Sequence, residues 1–303
     1  MNQQLSCDEV PVLLIGFNRP NFLKNRIYEL SKMPIKHLYI SVDGGALSNQ
    51  EEIESIIAYA QKILPNYINL YVDQKLINLG VVKHVISAIA NVLNKYKYLV
   101  IVEDDIELSA NFYVNMLAGL NLQIKLGMKG IVGASSPINI KQIKIFSNKW
   151  RESSYCGIWG WACSKEIWDL YNYDLRNIDF EKALSRSSSW KKLNLFQQQL
   201  WIGRFLKVQK NPLHTWDIQL QYWSFFHDFV NMYPVSSLIK NIGFNDYRAL
   251  HTKGSKPRWL SNKPGDDRLL SNKNFFTFQG SFSKYIDSNT VAGDTRLNAW
   301  WNS

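Results

Sequence analysis

The sequence predicts an α/β fold in which a mostly parallel sheet carries helices on both faces. Over the first 135 residues short apolar runs alternate with longer amphipathic stretches, the pattern of strands joined by crossover helices. Each apolar run also stops abruptly in polar or glycine residues, as strands do when their carboxyl ends line a ligand crevice. No internal repeat and no long linker interrupts the 303 residues, so the chain reads as one continuous body with a sizeable core.

The elements follow in order. VPVLLIGF (10–17) reads as a buried strand, and PNFLKNRIYELSKM (20–33) as a helix opened by Pro20, whose ring presets a helical φ. HLYISVD (37–43) is a strand closed by Gly44-Gly45, and NQEEIESIIAYAQKIL (49–64) a helix. INLYVDQ (68–74) is a third strand. GVVKHVISAIANVLNKY (80–96) carries apolar residues at helical spacing before a fourth strand, YLVIVED (98–104). A helix is expected to begin near 109–112. From about residue 136 the chain becomes rich in Trp, Tyr and Gly. There, 185–192 reads as a polar loop, 195–208 and 217–229 as helices, and 252–303 has too little periodicity for any assignment.

A formal charge of +10 and a pI near 9.3 favour anionic partners. No RRM, zinc-finger or helix-turn-helix signature accompanies that charge, so nucleic acid is not the expected partner. Three cysteines without a CxxC pair argue against a disulfide framework or structural zinc and for a reducing compartment. The N-terminus lacks the basic and apolar regions of a signal peptide, and no apolar run approaches a membrane span. These features predict a cytoplasmic protein, soluble or peripheral on a membrane.

The fourth strand runs into Glu103, Asp104 and Asp105. Adjacent carboxylates repel, so they need a cation or a set of donors to compensate them. Oxygen-only ligation suits Mg2+ or Mn2+; the competing reading is that Asp104 and Asp105 cap the next helix. Asp43, ahead of two glycines, could accept hydrogen bonds from a base or ribose, or simply close a turn. Arg19 could fork onto phosphate. Asn78 and Gly80 open a helix whose N-terminus, with Lys83 one turn in, could favour an anion, or they could be plain caps. Asp217, in HTWDIQLQYW, could be a general base or a helix N-cap, with Asp228 and Glu166 as rivals for the base. Trp159 and Trp161 could form a sugar platform or core, and Gly157 and Gly160 could let backbone approach a donor sugar.

The ordered motifs FNRPN, SVDGG, NLG and VIVEDDIELSANFY resemble those of GT-A-fold nucleotide-sugar glycosyltransferases. In particular they are similar to the N-acetylglucosaminyltransferase I type and bacterial sugar transferases, clearly over 10–115 and more loosely through GIWGWACSKEIWDLY to NIGFNDYRALHT. The resemblance implies a nucleotide-sugar-binding half, 1–135, and an acceptor-binding half with a C-terminal tail, 136–303. Arg19 and Asp43 would contact the nucleotide, and Glu103 and Asp104 the nucleotide sugar. Asp105, with His251, would hold Mn2+ or Mg2+, and Asp217 would be the base of an inverting transfer. The donor would be a UDP-sugar and the acceptor a glycan or a lipid-linked sugar of bacterial surface polysaccharide. The alternatives are a nucleotidyltransferase acting on a sugar phosphate, disfavoured by the absence of a glycine-rich phosphate loop, and a non-catalytic carbohydrate- or nucleic-acid-binding protein.

Overall fold

The computed structural model describes residues 4–45, 50–136, 150–245, 269–270 and 275–276. The first half follows the sequence pattern closely: Val12–Gly16 (β1), Pro20–Ser31 (α1), His37–Val42 (β2), Gln50–Ile63 (α2), Asn69–Gln74 (β3), Gly80–Leu93 (α3) and Tyr98–Glu103 (β4). A short strand, Ile106–Leu108 (β5), separates β4 from the helix Phe112–Lys125 (α4). Asp104 and Asp105 therefore do not cap α4; its N-cap is Asn111. The remaining elements are Val132–Gly133 (β6), Trp150–Ser153 (β7), Trp161–Ser164 (β8), Lys165–Trp168 (α5), Phe180–Leu184 (α6), Ser188–Lys191 (α7), Leu195–Lys210 (α8), Asp217–Phe226 (α9), Asn231–Pro234 (β9), Ile239–Asn241 (β10) and Phe275–Phe276 (β11). The stretch expected as a polar loop thus contains the single-turn α7, because Ser187 caps it by accepting from the Trp190 N–H.

Nine strands form one sheet in the order β11-β7-β9-β6-β8-β4-β1-β2-β3. The block β4-β1-β2-β3 is parallel throughout, and the antiparallel pairings lie in the second half, at β4–β8, β6–β8 and β7–β9. This is the mostly parallel, helix-flanked sheet of a GT-A-like Rossmann fold. Strand alternation sends Val12, Leu14, Val100 and Val102 to one face, against α1, α2 and α4. It sends Leu13, Ile15, Leu99 and Ile101 to the other, against α3 and the Trp216–Leu220 turn. A third, aromatic cluster lies among α6, α8 and α9.

Chain direction reverses its order at β1: β2 and β3 extend the sheet one way, while β4 returns to the other side of β1. The crevice at such a switch point is where open α/β sheets bind ligands. Its walls are the segments that follow β1 and β4. β5 pairs with β10 outside the main sheet, and the Ile242 N–H donates to the Asp105 carbonyl, 2.9 Å away. These contacts fold the 241–245 segment over the acidic turn.

Candidate active site at the sheet switch point

β1 hands its last carbonyls to both neighbours. The Asp104 N–H donates to the Ile15 carbonyl and the Asp43 N–H to that of Gly16, so Asp43 and Asp104 flank the end of β1. Arg19, at the N-cap of α1, lies between β1 and the acids. Its Nη2 donates to Asp104 Oδ1, and its Nη1 to Asp105 Oδ2 at 3.1 Å, while the guanidinium leans on the Phe22 ring. The acids thus have a compensating charge from within the chain, and Arg19 is turned onto carboxylates in this structure.

That compensation is incomplete. Asp104 is 2% exposed, and its Oδ2 is buried without a hydrogen-bond partner. Burial pushes its carboxyl up to about 7, against the pull of Arg19 and with a further push from Asp105. Glu103 is raised well above the ordinary range by burial, then by Asp105 and Asp104. Behind them on α1, Arg26 bonds Glu29 at 2.7 Å and also feels Glu107, Asp105 and Asp104. Lys240 faces Glu107 at 3.5 Å. Five carboxylates (Glu29, Glu103, Asp104, Asp105, Glu107) meet four cations (Arg19, Arg26, Lys32, Lys240), so the acids outnumber the bases by one. Gly243 closes the far side: a Cβ there would lie 2.2 Å from Asp105 Oδ2.

An oxygen-only donor set and an orphaned carboxylate oxygen among crowded acids fit a hard divalent cation. Among the described residues no group of three His, Cys, Asp or Glu is gathered to hold an ion. One or two carboxylates with phosphate oxygens completing the shell is the usual arrangement for Mg2+. His251 lies outside the described residues.

Asp217 opens α9, on the face of the sheet toward which Glu103 points by continuing the Leu99–Ile101 side. Its negative charge is felt at Glu103, raising that carboxyl. The Thr215 hydroxyl donates to Asp217 Oδ1, and Trp216 is buried and stacked on Trp161 at 5.6 Å. The N-cap is Trp216, so Asp217 occupies the first helical position, where the helix dipole favours the carboxylate. The rivals lie elsewhere. Asp228 accepts from Ser187 Oγ and the Ser188 and Ser189 N–H groups, and Glu166 is exposed beside Lys129. Trp161 is core, and a Cβ on Gly160 would press on Phe112 and Ile239; Trp159 meets Phe244 edge-on beside the Gly243 turn.

On the other side of β1, Asp43 is buried and its Oδ1 accepts from the Gly44 and Leu79 N–H groups, both at 2.9 Å. It ties the loop after β2 to the start of α3. Asn78 Oδ1 accepts from the Gly80 N–H at 2.7 Å, so two amides near the N-terminus of α3 are already engaged. Lys83 is exposed. The residue sequence reasoning passed over is His84, which is buried with Nε2 2.9 Å from Ser41 Oγ. Burial lowers its pKa while the Asp43 charge raises it. A histidine on the otherwise apolar stripe Val81-His84-Val85-Ala88 was the available signal.

No protein-family model matches the chain, and no curated protein does. Among solved structures the chain is similar to S. aureus TarS, at 15% identity and TM-score 0.32, over 41% of this chain and 21% of that one. A structure of TarS 1–349 gives the same identity and score over 34% of its length. HddC from Yersinia pseudotuberculosis is similar at 13% identity and TM-score 0.29, over 54% of this chain and 80% of that one. The chain therefore spans about a fifth of the longer TarS chain. The fold assignment rests on strand order and connection.

Proposed function

We propose that the chain is a glycosyltransferase that moves a sugar from a nucleotide diphosphate, uridine diphosphate by the motif resemblance, to a hydroxyl of a glycan or lipid-linked acceptor. The observation that carries the reading is an under-compensated carboxylate turn at the switch point whose Glu103 feels the charge of a carboxylate from the other half of the chain, Asp217. A donor diphosphate with its cation matches the first in charge, and an attacking hydroxyl matches the second.

In this reading Asp43, with the Ser41–His84 pair beside it, borders the nucleoside, and Glu103 and Asp104 meet the donor. Asp105, with His251, would hold Mn2+ or Mg2+. When bound, that ion supplies positive charge against the departing diphosphate. Arg19 then has two sets of acceptors, the acids it bonds now and the phosphate oxygens a donor would bring. Asp217 takes the proton of the acceptor hydroxyl as that oxygen attacks the anomeric carbon, and one base opposite the leaving group gives inversion. Placement at the cytoplasmic face, in assembly of a surface polysaccharide, belongs to the same proposal.

The test is a thermal-shift panel of nucleoside diphosphates with Mn2+ or EDTA, followed by an assay for nucleoside diphosphate released from the stabilising nucleotide's sugar conjugates. Metal-dependent stabilisation by one nucleotide, with acceptor-dependent release of its diphosphate, is expected. Flat curves refute the reading, and release of pyrophosphate from the matching nucleoside triphosphate when it is given a sugar phosphate instead assigns nucleotidyl transfer.

A further inference from the structure

The helix α8 is two-sided. Gln197, Trp201, Phe205 and Val208 are buried at spacings of four, four and three, and the last three enter the aromatic cluster with Tyr222 and Phe225. The opposite side also carries large apolar residues, and they face outward: Leu195 is 76% exposed, Phe196 56% and Leu206 44%, with Gln199 and Gly203 exposed between them and Lys210 at the end. Leu195 and Leu206 are eleven residues apart, three turns along one face. Isolated exposed leucines need no explanation, but three large apolar side chains exposed on one helix do.

The charge along this stretch of sequence is one-sided. From Lys182 to Trp216 the sequence holds seven Lys or Arg and no Asp or Glu. Lys191 and Lys192, immediately before the helix, and Lys207 and Lys210 at its end are all exposed. Six of the seven are exposed, while Arg204 turns inward over the Trp201 ring. Among the described residues no helix is long and apolar enough to cross a membrane.

We propose that the outward face of α8, with Lys191 and Lys192 at its leading end, docks on an anionic lipid bilayer. Leu195 and Phe196 enter the acyl boundary while the lysine stems lie along it with their ammonium groups at the headgroups. A nucleic acid would engage the lysines but has no use for the exposed leucines and phenylalanine. A second copy of the chain would bring two like-charged faces together, which repel. Docking does not depend on the transfer reaction. α8 packs on α9, whose first residue is Asp217, so one helix pair joins the docking face to the candidate site.

The experiment is co-sedimentation of the full chain with vesicles of phosphatidylcholine alone or mixed with phosphatidylglycerol, over a salt series. Binding is expected only with phosphatidylglycerol, weakening as salt rises. Lys191→Glu with Lys192→Glu lowers partitioning by roughly tenfold or more. Leu195→Ser with Phe196→Ser removes the part that survives high salt. Both pairs are exposed, so melting temperature and nucleotide-induced stabilisation stay as in the parent chain. Failure to sediment with phosphatidylglycerol vesicles overturns the proposal, as does equal binding to neutral ones. So does undiminished binding of both variants, or a dimer in light scattering that the Leu195/Phe196 change disperses.

Discussion

Replacing Arg19 with alanine removes the one guanidinium that Asp104 and Asp105 share, and the structure makes the consequence two-sided. Breaking a buried ion pair from one side costs about 3–5 kcal/mol. Here the arginine side chain is 14% exposed, and Asp104, already pushed up to about 7, relieves its isolation by taking a proton. A loss nearer about 2–3 kcal/mol is therefore expected near neutral pH. In a chain of this size that lowers the melting temperature by about 3–5 °C. The same change frees carboxylate oxygens that a cation must otherwise take from the guanidinium. Each tenfold gain in Mn2+ affinity adds about 1.4 kcal/mol of stability at saturating metal. The variant should thus melt below the parent in EDTA and recover most of the difference in Mn2+. Melting curves in EDTA and across a Mn2+ titration at constant ionic strength read both effects. An unchanged melting temperature in EDTA would show that the pair contributes nothing. A Mn2+ response no larger than the parent's would show that the acids are not a cation site.

Three further outcomes test neighbouring parts of the argument. Asp217→Asn should lower transfer by about 10²–10⁴-fold, with the nucleotide-induced thermal shift preserved; an equal loss of that shift would make Asp217 structural. Gly243→Ala puts a Cβ 2.2 Å from Asp105 Oδ2, so either the acid or the turn must move. Calorimetry should find about 1–3 kcal/mol of lost stability and a weaker Mn2+ response, whereas Gly203→Ala, with open space at its Cβ, should do no harm. Glu29 is raised by burial to about 7 from 4.5, so the folded chain keeps a proton that the unfolded chain has released between those pH values. Stability from this group therefore falls as pH rises from about 4.5 to about 7 and levels off above, by up to about 3 kcal/mol. The pH profile of melting for Glu29→Gln should be flatter across that window, and a parallel profile would refute the assignment.

Much of the parallel half was legible because its signals are local. A strand buried on both faces reads as a continuous apolar run, and the crossover helices show their own 3.6-residue period. Eight strand or helix ends shift by only a residue or two between reading and structure, and α3 stops at Leu93, short of 96. The second half was less legible. β6, β7, β8 and β9 are two to four residues long and take their partners from distant parts of the chain, so no periodicity could register within them. His84 went unread because one polar residue on an apolar stripe looks like noise until Ser41 stands across from it.

The sequence by itself determined that a buried strand ends in three acids, that glycine and asparagine turns follow its neighbours, and that an aspartate follows a tryptophan near residue 217. These are statements about residue order, and local chemistry carries them. Only the tertiary structure decided that Arg19, some 85 residues from the acids, would neutralise them in part. It likewise decided that Asp217 would share the field of Glu103 while Asp228 and Glu166 would not. Such pairings depend on which strand lies beside which and on how much water is excluded between them. Both are set when the sheet closes around β1, since a charge acts at a distance only where burial removes the solvent that would screen it.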